Sequence, residues 1–214
     1  MTIKAMYLDN KMKEASRVQA IIEVIDEVFK DIRPCDLILE GYFKQRRYIG
    51  SKDRRFISDE VWKIVRKRAK ITFMLEGKTS SRLVVGNHFM TLGYDVELLF
   101  NGEEYAPFVL SKEEKDILKK SLKNDNFSEE DLLECPKWIF DKFDDKKLLE
   151  SLNEEATLDV RANLCSREEA KSRLKKEGLF FANTPLSPIG LRSYDRVNLN
   201  NCMAFFGWKY RSYG

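Results

Sequence analysis

From Ser16 onward, apolar residues fall at Val18, Ile21, Ile22, Ile25, Val28, Phe29 and Ile32, the spacing of one helical face. Ser16 is a natural N-cap, and the pattern stops near Arg33-Pro34. Pro34 suits the first turn of a second helix, whose buried face continues through Leu37, Ile38, Tyr42 and Phe43. Gly50-Ser51 interrupts the chain, and Ser51 is expected to cap a third helix reaching about Lys70. Phe56, Ile57, Val61, Ile64 and Val65 point inward there, leaving Arg54, Arg55, Lys63, Arg66, Lys67 and Arg68 on the outer face. Further helices are expected over Ser80 to Leu92, Asp95 to Asn101 and Ser111 to about Lys123, the last opened by the S-x-x-E capping box of Ser111 and Glu114.

Asn124 to Ser128 is polar and turn-like, and reads as a hinge between domains. Three short helices follow, from Ser128, from Pro136 to Phe143 and from Lys146 to Asn153. Then the period changes: Leu158, Val160, Ala162 and Leu164 alternate with Asp159, Arg161 and Asn163, as in a half-buried strand. Ser166 and Glu169 form a second capping-box pattern, and Gly178 stands where a helix ends in a left-handed residue. Strands are expected at Leu179 to Ala182, Gly190 to Tyr194 and near Trp208, with a short helix at Val197 to Phe205. The expected fold is therefore mainly α. An all-helical domain over residues 1–125 precedes a small α+β domain over 126–214 of ferredoxin-like, RRM-like pattern.

The composition, 43% hydrophobic and 34% charged, supports a folded chain. Its net charge of +3 hides a segregation. Residues 41–70 carry eleven Lys and Arg against three Asp and Glu, residues 103–159 nine against seventeen, and residues 160–214 ten against four. Basic blocks of this kind attract polyanions. No basic leader with an apolar run begins the chain and no window approaches a membrane span, so the expectation is a cytoplasmic protein with no membrane partner. Cys35, Cys135, Cys165 and Cys202 lie far apart without C-x-x-C, and His88 is the one histidine. That pattern argues against disulfides and against a zinc site.

The run from Tyr42 to Arg66, with Lys52, Asp53, Arg54 and Arg66, resembles an aromatic-basic segment, a Lys-Asp-Arg turn and a helix ending in Arg. In the same order follow Cys135-Pro136-Lys137-Trp138-Ile139, Leu152-Asn153-Glu154, Val160-Arg161-Ala162-Asn163 and Thr184-Pro185-Leu186-Ser187-Pro188-Ile189-Gly190-Leu191-Arg192. Together they resemble the front part of the Sun (Fmu) family of RNA cytosine-C5 methyltransferases, whose first domain is NusB-like. The resemblance implies ribosomal RNA as partner, held in position for methylation by a domain that is missing here or separately encoded. The family binds S-adenosylmethionine beside a Gly-rich turn and attacks the pyrimidine with paired cysteines. Neither feature is found before Gly214, so the expectation is a chain with no cofactor of its own and inactive alone. The final Gly207 to Gly214 departs from the family pattern, as a frameshifted reading frame would.

The candidate RNA contacts are Arg46, Arg47, Lys52, Arg54, Arg55, Arg66 and Arg68 in the basic block, because Lys and Arg neutralise phosphates and release counterions. Arg161 and Asn163 share one side of the expected strand and either meet a phosphate and a base or ribose edge, or tie the strand to the following domain or cap a turn. Arg192 joins them by resemblance alone. Tyr48 either stacks on a base or packs in the core. Pro34-Cys35 copies the Pro-Cys pair but reads as a buried structural cysteine. Trp138 reads as core, His88 as a satisfied imidazole, and Asp53 as a carboxylate on a helix dipole. Two other readings fit the sequence: a NusB-like regulator that binds RNA without catalysis, and a scaffold whose acidic block docks a basic partner.

Overall fold

The computed structural model describes residues 12–143, 145–195, 197, 199, 202 and 203. Two compact units emerge, one running to Asn153 and one from Glu154. The first is helical: α1 (Glu14–Lys30), α2 (Cys35–Gln45), α3 (Ser51–Arg66), α4 (Arg68–Met74), α5 (Ser81–Thr91), α6 (Val96–Leu99) and α7 (Lys112–Ser121), then three short helices, α8 (Glu129–Leu132), α9 (Lys137–Phe140) and α10 (Lys146–Asn153).

One core joins α1 to α7, with Ile21, Ile25, Ile38, Ile57, Ile64, Val85, Phe89 and Leu118 at its centre. In the α1 stripe read from the sequence, Val18, Ile21, Ile22 and Ile25 are buried and Val28 and Phe29 pack against the core, as burial of apolar area fixes a helix against its neighbours, but Ile32 falls beyond the end of α1 and is exposed. α5 differs from an amphipathic helix because it is buried from Leu83 through Phe89. Its Gly86 lets α7 come close: a Cβ there would sit 3.0 Å from a Leu118 methyl. Ser111 and Glu114 form the expected capping box at α7, and Ser128 with Asp131 forms another at α8.

Several boundaries differ from the sequence reading. Ser16 lies inside α1, which begins at Glu14 with no side-chain cap. Ser51 is the first residue of α3 and not its cap, because Gly50 occupies that position. The helix expected to reach Lys70 breaks at Lys67, whose φ of −112° and ψ of 23° leave the helical region. A new helix, α4, starts there, and the Glu134 carboxylate accepts hydrogen bonds from Ala69 N at 2.6 Å and Lys70 N at 2.9 Å. That carboxylate supplies partners for donors a helix start leaves unpaired. It also ties the segment after Asn124 into the first unit, so the division falls after Asn153 and not at the hinge expected near 125. Trp138, expected in the core, is 65% exposed with Lys142 against its ring; α9 is a single turn with no buried residue and therefore offers no interior face.

The second unit contains β1 (Leu158–Arg161), α11 (Arg167–Lys176), β2 (Ala182–Asn183) and β3 (Gly190–Ser193). The sheet order is β1-β3-β2, with β3 antiparallel to both neighbours. β1 and β2 therefore run parallel with β3 between them, and α11 makes the crossover. Ala162, Ala170, Leu174, Phe181 and Leu191 form its small core. Ser166 caps α11, but the Glu169 side chain reaches Arg173 instead of closing a capping box. Gly178 has the positive φ expected after that helix. The strand expected over Leu179 to Ala182 is reduced to Ala182–Asn183, and the strand near Trp208 and most of the helix at 197–205 lie outside the described residues. The chain is thus mainly helical with a small three-stranded antiparallel sheet. No helix among the described residues is long and apolar enough to cross a membrane.

Candidate nucleic-acid interface

The basic block folds into the end of α2, the connection 46–50 and α3. Its cations divide sharply by what they touch. Arg54 Nε donates to the Ile49 carbonyl at 2.8 Å and its guanidinium lies 5.5 Å from the Phe43 ring centre, so this side chain fastens the α2–α3 connection. Arg46 covers the Tyr42 ring at 3.9 Å and pairs with Glu23 at 3.2 Å. Tyr42 donates to the same carboxylate at 2.8 Å, and burial together with that bond pushes its hydroxyl pKa well up. Arg47, Lys52 and Arg55 are exposed and meet no carboxylate among the described residues.

The acids near them are used elsewhere. Asp53, 2% exposed, pairs with Arg17 at 2.6 Å and also accepts from Met12 N at 3.3 Å. It is thus half of a buried ion pair rather than only a carboxylate on a helix dipole. Glu60 accepts from Lys63 and lies 2.7 Å from His88 Nε2. Burial raises the Glu60 pKa, but hydrogen bonds from His88 and Lys63 outweigh it and hold the carboxyl below its ordinary value. Tyr48, whose role the sequence left open, is 72% exposed between Arg47 and Lys52 in the chain. An aromatic ring among unpaired cations suits stacking on an unpaired base while phosphates are neutralised.

Arg66 and Arg68 have rings for partners, Trp62 at 5.6 Å and Phe29 at 4.6 Å. Both line a cleft of about 770 Å³ with Glu134, Cys135 and Asn153. The carboxylates around it are engaged: Glu76 by Lys120, Asp131 by Ser128, Glu134 by the start of α4. Burial raises the Glu134 pKa despite its two backbone donors.

In the second unit Arg192 is occupied. Its guanidinium grips Asp159 through two hydrogen bonds of 2.7 Å across the β1–β3 pair. That fork-to-fork geometry draws the Asp159 pKa down and the Arg192 pKa up. Arg161 and Asn163 are exposed on either side of buried Ala162, which the alternating pattern predicts. The structure thus brings Arg46, Arg47, Lys52, Arg54 and Arg55 together around one junction, and Arg161, Asn163 and Arg192 about one small sheet.

The chain after β1 runs Ala162 to Ser166 into α11 without glycine, and the sheet is antiparallel, so a nucleotide-type cofactor has no glycine-rich turn to approach. Cys35 is half-buried, and burial pushes its thiol up to about 11, away from the thiolate a nucleophile needs. No cluster of His, Cys, Asp or Glu able to hold a metal occurs among the described residues.

No family model matches the chain, and no curated protein matches it. Among solved structures, the crystal structure of PH0851 is similar in fold, with a TM-score of 0.52 and 18% identity over 91% of this chain. That match covers 52% of PH0851, so the chain spans about half the length of its structural neighbour.

Proposed function

We propose that this chain binds ribosomal RNA through the α2–α3 junction. In this reading it is the RNA-positioning portion of a Sun-type rRNA cytosine-C5 methyltransferase, with a NusB-like helical unit and a ferredoxin-like, RRM-like second unit. The carrying observation is the set Arg47, Lys52 and Arg55, exposed around exposed Tyr48 while nearby acids are engaged by other groups. Unpaired cations at a surface are the ones free to displace counterions from phosphates. The serial order of the family-like segments and the β1-β3-β2 order lend further support, as does a fold shared with half of a longer protein. The methylation chemistry belongs to a domain with its own S-adenosylmethionine site, and this chain contributes grip and orientation.

The triple variant Arg47→Glu, Lys52→Glu, Arg55→Glu tests the reading. Ribosomal RNA affinity at about 0.1 M salt should fall by about 100-fold, and the salt dependence should lose about two to three phosphate contacts. Unchanged affinity in the folded variant would falsify the proposal. A regulator without catalysis predicts the same loss, so the two readings separate on whether an added Sun-type catalytic domain methylates RNA only when this chain is present.

A further inference from the structure

Beside that junction, a cleft of about 750 Å³ is walled by the start of α1, the end of α2 and the loop that leads to α7. Two tyrosines line it, Tyr48 from the 46–50 connection and Tyr105 from the loop, and they are 72% and 75% exposed. Buried Tyr42 and Ile49 supply further apolar wall. Tyr105 is held there against its backbone preference. Its φ is 63°, a left-handed conformation that a bulky side chain rarely adopts. Ala106 N donates to the Glu103 carbonyl at 3.0 Å to close the turn, and Glu103 is anchored to Lys13, the N-cap of α1, at 3.0 Å. Strained residues of this kind cluster at ligand sites, where the surrounding structure holds them in place.

The charged groups at the cleft narrow its occupant. Lys13 and Arg46 line it, and so do Glu23 and Glu104. Glu23 is engaged on all sides: it accepts from Gln19 at 3.0 Å, Tyr42 at 2.8 Å and Arg46 at 3.2 Å. The Tyr105 hydroxyl donates to Glu104, which raises its pKa. Arg46 lies over the Tyr42 ring, so the aromatic surface open to a ligand is that of Tyr48 and Tyr105. The two acids repel a bare anion and the two bases a bare cation, whereas a flat neutral ring gains by stacking on tyrosine. Arg47 adjoins Tyr48 in the chain, Lys52 lies in the first turn of α3, and both are exposed. We propose that the cleft receives an unpaired nucleobase of the RNA, stacked on Tyr48 and Tyr105, with its flanking phosphates on Arg47 and Lys52. The proposal rests on the RNA reading for its ligand and adds a requirement for single strand, since a paired base keeps its faces inside the stack.

Fluorescence anisotropy on the full chain tests it with an oligouridylate and an abasic strand of the same length. The oligouridylate should bind about tenfold more tightly. In Tyr48→Ala/Tyr105→Gly, whose glycine fits the left-handed backbone, that preference should vanish while the slope of affinity against salt is kept. Tyr48→Phe/Tyr105→Phe should retain the preference, and an RNA duplex should bind all three proteins alike. Equal binding of the two strands by the parent overturns the proposal, as does a preference that survives in the Ala/Gly variant or is lost in the Phe variant. A duplex affinity that falls together with that of the single strand overturns it too. Displacement of the oligouridylate by tetramethylammonium at constant ionic strength would assign the tyrosines to a cation instead. The junction triple variant should weaken both strands and flatten the salt dependence. If it does not, the junction reading fails with the tyrosine result intact; if only the tyrosine variants fail, the junction reading stands without the cleft.

Discussion

The acids around α3 and the acid on the small sheet are used in opposite ways. In the helical unit Asp53 and Glu60 are drawn inward, each taken by a cation or imidazole from another part of the core, and the outer cations Arg47, Lys52 and Arg55 meet no acid among the described residues. In the sheet unit the acid stays on the surface, where Asp159 takes Arg192 out of circulation. An arginine's position on an exposed face therefore says little about its availability. What decides it is whether the neighbouring acid is buried with someone else or stands beside it.

The contrast is sharpest at Asp53. Removing it with Asp53→Ala leaves Arg17 nearly buried without a counter-charge, and denaturant unfolding should show a loss of about 3 to 5 kcal/mol; a loss no larger than a surface substitution would contradict the buried role. In the other unit, Asp159→Ala should release Arg192 and raise RNA affinity by about threefold at low salt. An unaltered affinity, with the unit still folded, would mean that the bridge withholds nothing. The smallest effect concerns pH. Because the folded Glu60 pKa is depressed, its contribution is present above its ordinary value of 4.5 and is lost as pH falls through the lower folded value. Thermal melts on acidification should show the parent losing stability that Glu60→Gln does not lose. Parallel curves for the two would remove Glu60 from the account.

What the sequence made legible was local. The α1 stripe as far as Phe29, the capping box at Ser111, the helix start at Ser128 and the left-handed Gly178 involve partners within a turn or two. The alternation read over Leu158 to Leu164 likewise described one strand with one wet side, although the strand ends at Arg161 and Leu164 is exposed. The basic stretch was visible as composition, but its sorting was not. Arg17 and Asp53 are 36 residues apart, and Asp159 and Arg192 are 33 apart in a register that only the folded sheet fixes. Trp138 was misplaced because a Pro-x-Trp helix start looks the same whether the turn is followed by a long helix or ends at once.

Glu134 closes the first turn of a helix some 65 positions earlier in the chain. Anyone trimming this protein to its smallest self-sufficient helical piece should therefore cut after Asn153: a cut near 125 discards the clasp, leaving the amides of Ala69 and Lys70 open to water and the cleft beside Arg66 without its far wall.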